Sequence, residues 1–347
     1  MKTNHILLTA ALLLSAASCT KEATEIPDTN DDNTLYPVTF SGGIDLVQTK
    51  GEDKTNASTM RSNLKTKILV YGENESDYKA DTLAYKEYTV GANGNLTIGE
   101  KDTIYLAKGK YKIRAFAIDT LIDGTGLSFP DFDFSSSSEI LALNDSNYLY
   151  AGIDNQEIKG SATKQDVKLA FTRKAVMIVI NIESTSGIVI DSWPGGNDDA
   201  MITPPDPEDK TKMKISDGTI TAATKVLTKT YAMKTGAVTD PGKTTSVSYI
   251  MLPLIGESEG TPVPTVTLKL KVKNAKESEA KERTYTTQLK YPTGGFESGK
   301  KYTYKATLKA NGITFDAATV ADWTDGTLGD DGGNLTPIEP EDNGSGS

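Results

Sequence analysis

Cysteine and histidine, the side chains that supply thiolate nucleophiles, imidazole bases and ligands for transition metals, are scarce in this sequence. The 347 residues include one cysteine, Cys19, and one histidine, His5. Both lie in an N-terminal stretch in which Lys2 precedes an apolar run at 6–14. That run is shorter than the roughly 20 residues of a membrane-spanning helix and is typical of an export signal. The chemistry of the exported chain therefore depends on where this signal is removed.

Small residues occupy positions 15–18, directly before Cys19. This arrangement resembles the lipobox of bacterial lipoproteins. The resemblance implies that residues 1–18 are a lipoprotein signal peptide. It also implies that Cys19 becomes the first residue of the mature chain, with diacylglycerol on its sulfur and an acyl chain such as palmitate on its amine. Two or three acyl chains anchor a protein firmly, because each buried methylene contributes about 0.8 kcal/mol.

Several kinds of catalysis are excluded if this signal is used. His5 leaves with the signal peptide and the sulfur of Cys19 carries lipid, so the mature chain has no imidazole, no thiolate and no disulfide. Ser-His-Asp and Cys-His catalysis need these groups, as do ordinary zinc and haem sites. No sequence spacing marks a pair of glycosidase carboxylates either. We therefore expect a protein that is not an enzyme and needs no cofactor.

An asparagine and two aspartates occupy 197–199, with Asp206 and Asp209 nearby, and two further aspartates lie at 330–331. Carboxylate oxygens are the ligands that calcium prefers, but neither cluster has the Asp-x-Asp-x-Asp-Gly spacing of a calcium loop. We interpret both clusters as plain acidic turns, and no metal site is predicted.

The composition favours short strands and turns, with 30 glycines and 14 prolines beside abundant threonine, serine, tyrosine and valine. The length fits two domains of ordinary size, each able to bury a core. The formal net charge of -10 argues against a nucleic-acid partner, because phosphate binding needs clustered lysine and arginine.

Many segments alternate apolar and polar residues, which is the period of a strand with one buried face. Hairpins are predicted between 83–90 and 96–98, between 104–106 and 111–118, and most clearly between 266–272 and 285–291. The apolar run 175–182 is expected to be a central strand covered on both faces. Other strands are predicted at 67–71, 139–143, 147–151, 167–171, 212–215, 218–221, 226–233, 247–254 and 302–308. The pattern indicates an all-β protein built from antiparallel sandwiches.

One predicted strand, at 36–50, stands apart from the rest. Its apolar residues fall on one parity: Val38, Phe40, Ile44 and Leu46. An acidic, proline-containing run precedes it and a polar run, 51–62, follows it, so we expect a strand between two flexible tethers. Such a strand can pair with the body of the protein and can also be cut away from it.

Two basic residues near this strand suit a trypsin-like protease. Lys50 ends the strand directly, whereas Arg61 lies at the far end of the polar run, where the body begins. The composition and expected exposure of the linker favour Arg61, and Lys50 stays open as an alternative.

The order and spacing of several features resemble the fimbrillins, the type V pilin family of Bacteroides and Porphyromonas relatives. The resemblance covers most of residues 1–326. It rests on the lipobox, the strand 38–46, the strand 67–71 after a basic cut site, residues 147–151, the pair 167–182 with its Phe-Thr-Arg-Lys centre, the Gly-Lys-Lys-Tyr-Thr-Tyr run from Gly299, and the Gly-Ile-Thr-Phe run from Gly312 to Trp323.

This resemblance implies two tandem transthyretin-like β-sandwich domains. The N-terminal domain would cover 62–164 and be completed by 36–50, and the C-terminal domain would cover 165–326. Residues 19–61 would form a lipid-anchored segment with a cleavable linker, and 327–347 a polar flexible tail. The protein would reach the cell outer membrane as a lipoprotein held by Cys19.

The resemblance further implies how such a protein assembles. A trypsin-like protease removes the anchor with the first strand, and a neighbouring subunit donates a strand to the vacated groove, giving a head-to-tail extracellular fimbrium. Pro337 and Pro340 make the tail a poor donor because proline lacks a backbone N–H. The segment 313–323 could donate instead, or the protein could be a tip or anchor subunit that donates no strand.

A monomeric outer-membrane lipoprotein that binds glycans is the alternative from a different class. Trp193 and Trp323 could stack on sugars in such a protein, although a place in the core is the commoner role of tryptophan. This alternative retains residues 36–50 and needs exposed aromatic platforms.

Overall fold

The computed structural model describes residues 34–44, 60, 62–77, 81–91, 95–99, 102–119, 139–160, 163–207, 211–239, 242–256, 263–290, 292, 294–309 and 312–323. Within these ranges the regular secondary structure is strand, with no α-helix, which confirms the predicted all-β class. None of the described residues belongs to a helix that could cross a membrane. The signal peptide at 1–18 and the tail at 327–347 lie outside the described residues.

The first half of the described chain forms one large sheet. Its strands are β1 (Leu35–Ile44), β2 (Lys65–Gly72), β3 (Thr82–Val90), β4 (Leu96–Thr97), β5 (Ile104–Ala107), β6 (Gly109–Asp119), β7 (Glu139–Leu141), β8 (Asn147–Ile158) and β9 (Gln165–Arg173). The order within the sheet is β4-β3-β2-β6-β8-β9-β1-β5, and only β7 lies outside it. Because β8 and β9 pair only at Leu149 and Tyr150, the sheet folds over there and encloses a core.

The second half forms two further sheets and two short strand pairs. Its strands are β10 (Val176–Ser184), β11 (Ile188–Ser192), β12 (Ala200–Ile202), β13 (Lys212–Lys214), β14 (Tyr231–Ala232), β15 (Lys234–Thr235), β16 (Thr244–Met251), β17 (Leu254–Ile255), β18 (Thr265–Asn274), β19 (Lys281–Gln288), β20 (Gly295–Phe296), β21 (Lys300–Lys309), β22 (Gly312–Phe315) and β23 (Thr319–Asp322). One sheet has the order β15-β16-β10-β21-β22, with β23 also on β21; the other has β11-β18-β12-β14, with β19 also on β18.

Buried apolar side chains form three clusters. One is drawn from the first half and contains Phe40 and Met60. A second is drawn from the second half. The third takes residues from both halves, including Phe116, Ile250 and Trp323. The strand pair β7–β13 also joins the two halves. The halves are therefore connected by packed side chains as well as by the chain itself.

The hairpin predicted most clearly from the sequence is confirmed as β18 and β19. Every second residue of β18 from Val266 to Val272 is buried, whereas the lysines between them are partly exposed. Thr267 and Thr286 lie opposite each other, and their hydroxyl oxygens are 3.1 Å apart. The period-two pattern fixes the register of this pairing, because a shift by one residue would move the buried face to the surface.

The hairpin predicted between 104–106 and 111–118 is wrong. β5 pairs with β1, and β6 pairs with β2 and β8. Ile104 and Ile113 belong to the same buried cluster, so β5 and β6 reach one core from two different parts of the folded sheet. A turn signal shows where the chain reverses, but it does not show which strand each arm will pair with.

Other strand predictions also need correction. The strand expected at 226–233 is reduced to β14, and β12 was not among the predicted strands. The strand expected at 36–50 is observed as β1, and its predicted end lies outside the described residues. β9 was assigned to the second domain, but it pairs with β1 and β8 of the first half.

Candidate functional site

β1 lies between two strands that have little other support. It runs parallel to β9, from Val38 beside Gln165 to Ile44 beside Phe171. It runs antiparallel to β5, from Leu35 beside Ala107 to Val38 beside Ile104.

Among the described strands, β5 has no partner besides β1, and β9 reaches β8 only through Thr172 and Arg173. Removing β1 would leave backbone N–H and C=O groups of both strands unpaired. We call the space that β1 fills between β5 and β9 the β1 groove.

Two large side chains of β1 point into the core of the first half. Val38 is 1% exposed and Phe40 is 2% exposed. The ring of Phe40 meets the ring of Tyr88 edge to face, with centroids 5.6 Å apart. Burying a side chain of this size stabilises a fold by about 1.5–3 kcal/mol, so β1 contributes substantially to the core it completes.

A third inward position on β1 is occupied by glycine, and it has no room for a side chain. A Cβ atom at Gly42 would lie 2.9 Å from Cε2 of Phe171 and 3.2 Å from Sδ of Met60. Phe171 is fully buried and Met60 is 3% exposed, so both neighbours are held by packing. Along its inward face β1 therefore carries a β-branched residue, an aromatic residue and then a glycine whose neighbours leave no room for a side chain.

The outward face of β1 carries small hydroxyl residues. The hydroxyl of Ser41 donates to Oδ2 of Asp166 at 2.8 Å, and the hydroxyl of Thr39 lies 3.4 Å from Oδ1 of the same carboxylate. These contacts are exposed to water, so they fix the register of β1 against β9 more than they stabilise it.

The predicted site residues fall into two groups. Val38 and Phe40 lie in the core, and Ile44 ends β1 beside Phe171. Leu46, Lys50, Arg61 and Cys19 lie outside the described residues, so the lipidation and cleavage predictions stay predictions.

The described neighbours of Arg61 differ from what the sequence suggested. Met60 is buried, and Leu64 is fully buried. Asn63 has a φ of 66°, and its N–H donates to the carbonyl of Val90 at 2.7 Å. The described residues on both sides of Arg61 are thus packed or hydrogen-bonded to the body, whereas the sequence predicted an exposed linker there. Sequence reasoning missed Met60, whose only signal was a lone large apolar residue in a polar run.

The C-terminal segment that was considered as a donor is paired within its own sheet. β22 and β23 follow each other along the same edge of β21. Trp323 closes this segment: it is 4% exposed, its N–H donates to the carbonyl of Gly299 at 2.8 Å, and the guanidinium of Arg173 lies 4.5 Å from its ring centre. An ion pair of Lys300 with Asp322, at 2.6 Å, holds the last residue of β23.

Neither tryptophan forms an exposed platform. Trp193 is partly buried, and its Nε1 donates to the carbonyl of Gly236 at 2.9 Å and to the hydroxyl of Thr245 at 3.1 Å. Trp323 lies in the cluster that joins the two halves. The features that a surface for sugar stacking needs are therefore not found at these two residues.

The acidic cluster at 197–199 is engaged by neighbouring groups. A hydrogen bond from Lys269 lowers the pKa of the Asp198 carboxyl and raises the pKa of Lys269 itself. Oδ2 of Asp199 accepts the N–H of Gly195 at 2.7 Å. Within the described ranges no three acidic, histidine or cysteine residues are grouped as a metal site would require. Asp209 and residues 330–331 lie outside those ranges.

Comparison with known proteins gives a family and a fold. A family model described as fimbrillin-like matches residues 55–323. A solved structure described as a candidate cell adhesion protein from Bacteroides uniformis has 17% identity, covers 84% of this chain and 99% of its own, and gives a TM-score of 0.51. Another of the same description, from Bacteroides ovatus, has 16% identity, covers 84% and 98%, and gives 0.53. At such identities the likeness shows the fold alone. No curated protein matches the sequence.

The matched residues contain every described strand from β2 to β23 and end at Trp323, whereas β1 precedes them. The family match and the described strands from β2 onward thus cover the same part of the sequence. Because that match extends over most of its length, this chain belongs to the fimbrillin-like family.

Proposed function

We propose that this member of the fimbrillin-like family is a structural or accessory subunit of a surface fimbria that assembles by strand exchange. The observation that carries the proposal is the position of β1, which is the sole described partner of β5 and of β9 from Gln165 to Phe171. Without β1, backbone groups of both strands would lack a partner along the same groove. A protein that replaces β1 gains a groove with backbone groups ready to pair on both sides.

The strand becomes replaceable through processing. In this proposal the chain is exported as a lipoprotein, held in the outer membrane through Cys19, and cut by a trypsin-like protease after Arg61 or Lys50. The cut leaves β1 attached by hydrogen bonds and by side-chain packing, chiefly that of Val38 and Phe40. A strand from another subunit then takes its place and satisfies the same backbone groups.

The chain itself contains a segment that suits the β1 groove. Residues 38–43 read Val-Thr-Phe-Ser-Gly-Gly, and residues 313–318 read Ile-Thr-Phe-Asp-Ala-Ala. Both place a β-branched residue two positions before a phenylalanine and small residues two and three positions after it. We infer that 313–318, at present part of the C-terminal segment on β21, is the donor. It has two mismatches: Asp316 would replace Ser41 beside Asp166 on the exposed face, and Ala317 would replace Gly42, where the packed groove has no room for a side chain.

The same pairings lead us to propose two domains that meet at Lys174. β9 pairs with β1 and β8, whereas β10 pairs with β16 and β21. The division expected at residue 165 then moves to the end of β9. The two domains remain in contact through the cluster that contains Phe116, Ile250 and Trp323.

Limited trypsin treatment of the chain from Thr20 onward tests the proposed function. We expect a cut near Lys50 or Arg61, loss of the fragment that contains β1, and head-to-tail polymers visible by electron microscopy. A chain in which Lys50, Lys54 and Arg61 are replaced by Gln serves as the control and should stay monomeric. If the fragment leaves and the cut chain remains a monomer that takes up no strand, the proposal is wrong.

A further inference from the structure

Three side-chain positions meet at the end of the β1 groove where β1 pairs with the last part of β9. Gly42 is on β1, Phe171 is on β9, and Met60 lies near the end of the polar run 51–62, directly before Arg61. Met60 and Phe171 both belong to the core cluster of the first half. A methyl group added at Gly42 would meet the Phe171 ring at 2.9 Å and the Met60 sulfur at 3.2 Å.

We propose that Met60 determines which strand the β1 groove accepts, an inference that rests on the proposed strand exchange. While Met60 is in place, the Phe171 ring cannot move aside, and the position of Gly42 admits no side chain. When Met60 is absent, the ring can shift into the space that Met60 filled, and alanine fits. Forcing one extra methyl into a rigidly packed site usually disfavours the complex by a factor of about 10 or more.

The place of the cut then has a consequence for specificity. Cleavage after Arg61 leaves Met60 on the fragment that carries β1, so both depart together. Cleavage after Lys50 leaves Met60 attached to the body, where it keeps its place beside Phe171. Since the inferred donor has Ala317 where β1 has Gly42, only a chain cut after Arg61 presents a groove that suits the donor. A chain cut after Lys50 still prefers the strand it has just lost.

Two singly cut chains and two peptides test this inference. Both chains begin at Thr20 and carry Lys54→Gln. One also carries Lys50→Gln, so that trypsin cuts it after Arg61, and the other carries Arg61→Gln, so that it is cut after Lys50. Mass spectrometry confirms each cut. The peptides are the labelled sequence of β1, residues 35–44, and the same peptide with Gly42→Ala. Fluorescence anisotropy measures the apparent Kd of each peptide for each chain.

The chain cut after Lys50 should bind the glycine peptide at least about 10-fold more tightly than the alanine peptide. The chain cut after Arg61 should distinguish them by less than about 2-fold. An equal preference in both chains overturns the role of Met60 while leaving strand exchange intact. Failure of both peptides to enter either chain overturns strand exchange itself.

Variants of Met60 separate a specific role from a general loss of stability. In the chain cut after Lys50, Met60→Ala should remove the preference for glycine, whereas Met60→Leu, which keeps the volume, should retain it. Thermal unfolding before the cut shows whether each variant is folded. If Met60→Leu loses the preference as fully as Met60→Ala does, although both are folded, the packing explanation is wrong.

Discussion

At the residue scale, the two faces of β1 contribute unequally to the free energy that holds the strand in place. Val38 and Phe40 are almost fully buried, whereas Thr39 and Ser41 make exposed hydrogen bonds to Asp166. Burial of apolar surface outweighs exposed hydrogen bonds in free energy. The inward side chains should therefore decide how firmly β1 is held, both before and after a cut.

Phe40→Ala tests this difference. The change leaves a cavity beside Tyr88, and such a loss usually lowers the free energy of unfolding by about 3–5 kcal/mol. Leu35→Ala is the matched control on the same strand, because Leu35 is 59% exposed and its loss should cost less than about 0.5 kcal/mol. Urea unfolding of the uncut chain measures both. Equal losses for the two variants would contradict the proposed importance of the inward face.

The residue scale also shows what local sequence can and cannot reveal. Period-two alternation identified the buried parity of β1, because a strand with one buried face must place every second residue in the core. The role of Met60 was not predictable, since its contact with Gly42 and Phe171 depends on how the chain returns after the linker. The space that excludes a side chain at Gly42 is likewise created by residues distant in sequence.

At the element scale, β5 pairs with β1 and not with β6 as the sequence predicted. This pairing forms one side of the β1 groove. The sequence predicted most of the strands, but not that β5 would pair with β1 instead of β6. Alternation defines which face of a strand is buried, and many strands share that pattern, so the pattern alone cannot select a partner. The candidate site depends on that pairing. The sequence could therefore predict which side chains of β1 point inward, but not which strands they lie between.

A disulfide between β1 and β9 should prevent strand exchange. Thr39 and Asp166 are register partners on neighbouring parallel strands, which places their Cα atoms at a separation that suits a disulfide. Oxidised Thr39→Cys/Asp166→Cys protein should be cut by trypsin, retain the β1 fragment on non-reducing gels, and form no polymer. Reduction should restore assembly. Polymerisation of the oxidised, cut protein at the normal rate would show that β1 need not leave.

A second disulfide identifies the donor. If 313–318 enters the β1 groove in the register of 38–43, Thr314 takes the place of Thr39 and faces Asp166 of another molecule. Thr314→Cys/Asp166→Cys should then form intermolecular disulfides only in cut, assembled protein, because within the monomer Thr314 pairs with Thr307. Thr319→Cys/Asp166→Cys, outside the matching segment, is the control. Cross-links as abundant in that control would argue against this register.

At the scale of the whole molecule, buried tyrosines link stability to pH. Burial raises the pKa of Tyr71, Tyr88, Tyr150 and Tyr249 well above the usual value near 10, with Asp77 adding to the effect at Tyr71. Each of these four side chains belongs to one core cluster, and together they represent all three clusters. The folded state therefore favours the protonated, neutral form of these tyrosines in every cluster.

Stability should consequently fall at alkaline pH. The folded-state pKa of each of these tyrosines lies above its unfolded-state value, so its contribution is complete below about pH 10 and is lost as the pH rises further. Each such tyrosine can reduce the free energy of unfolding by about 1.4 kcal/mol per pH unit above that point. Urea unfolding between about pH 8 and pH 11 measures the slope. Tyr88→Phe should make it shallower, and a flat profile would contradict the prediction.

The opposite directions in which β1 runs along its two neighbours have a consequence for any fibre built through the groove. Because β1 is parallel to β9 and antiparallel to β5, the backbone donors and acceptors that line the β1 groove fit an incoming strand in a single direction. Every molecule joined this way must point along the fibre with the same heading. One terminus then always exposes an empty groove and the other an unused segment, so elongation, capping and attachment to a surface are assigned to different ends by geometry alone.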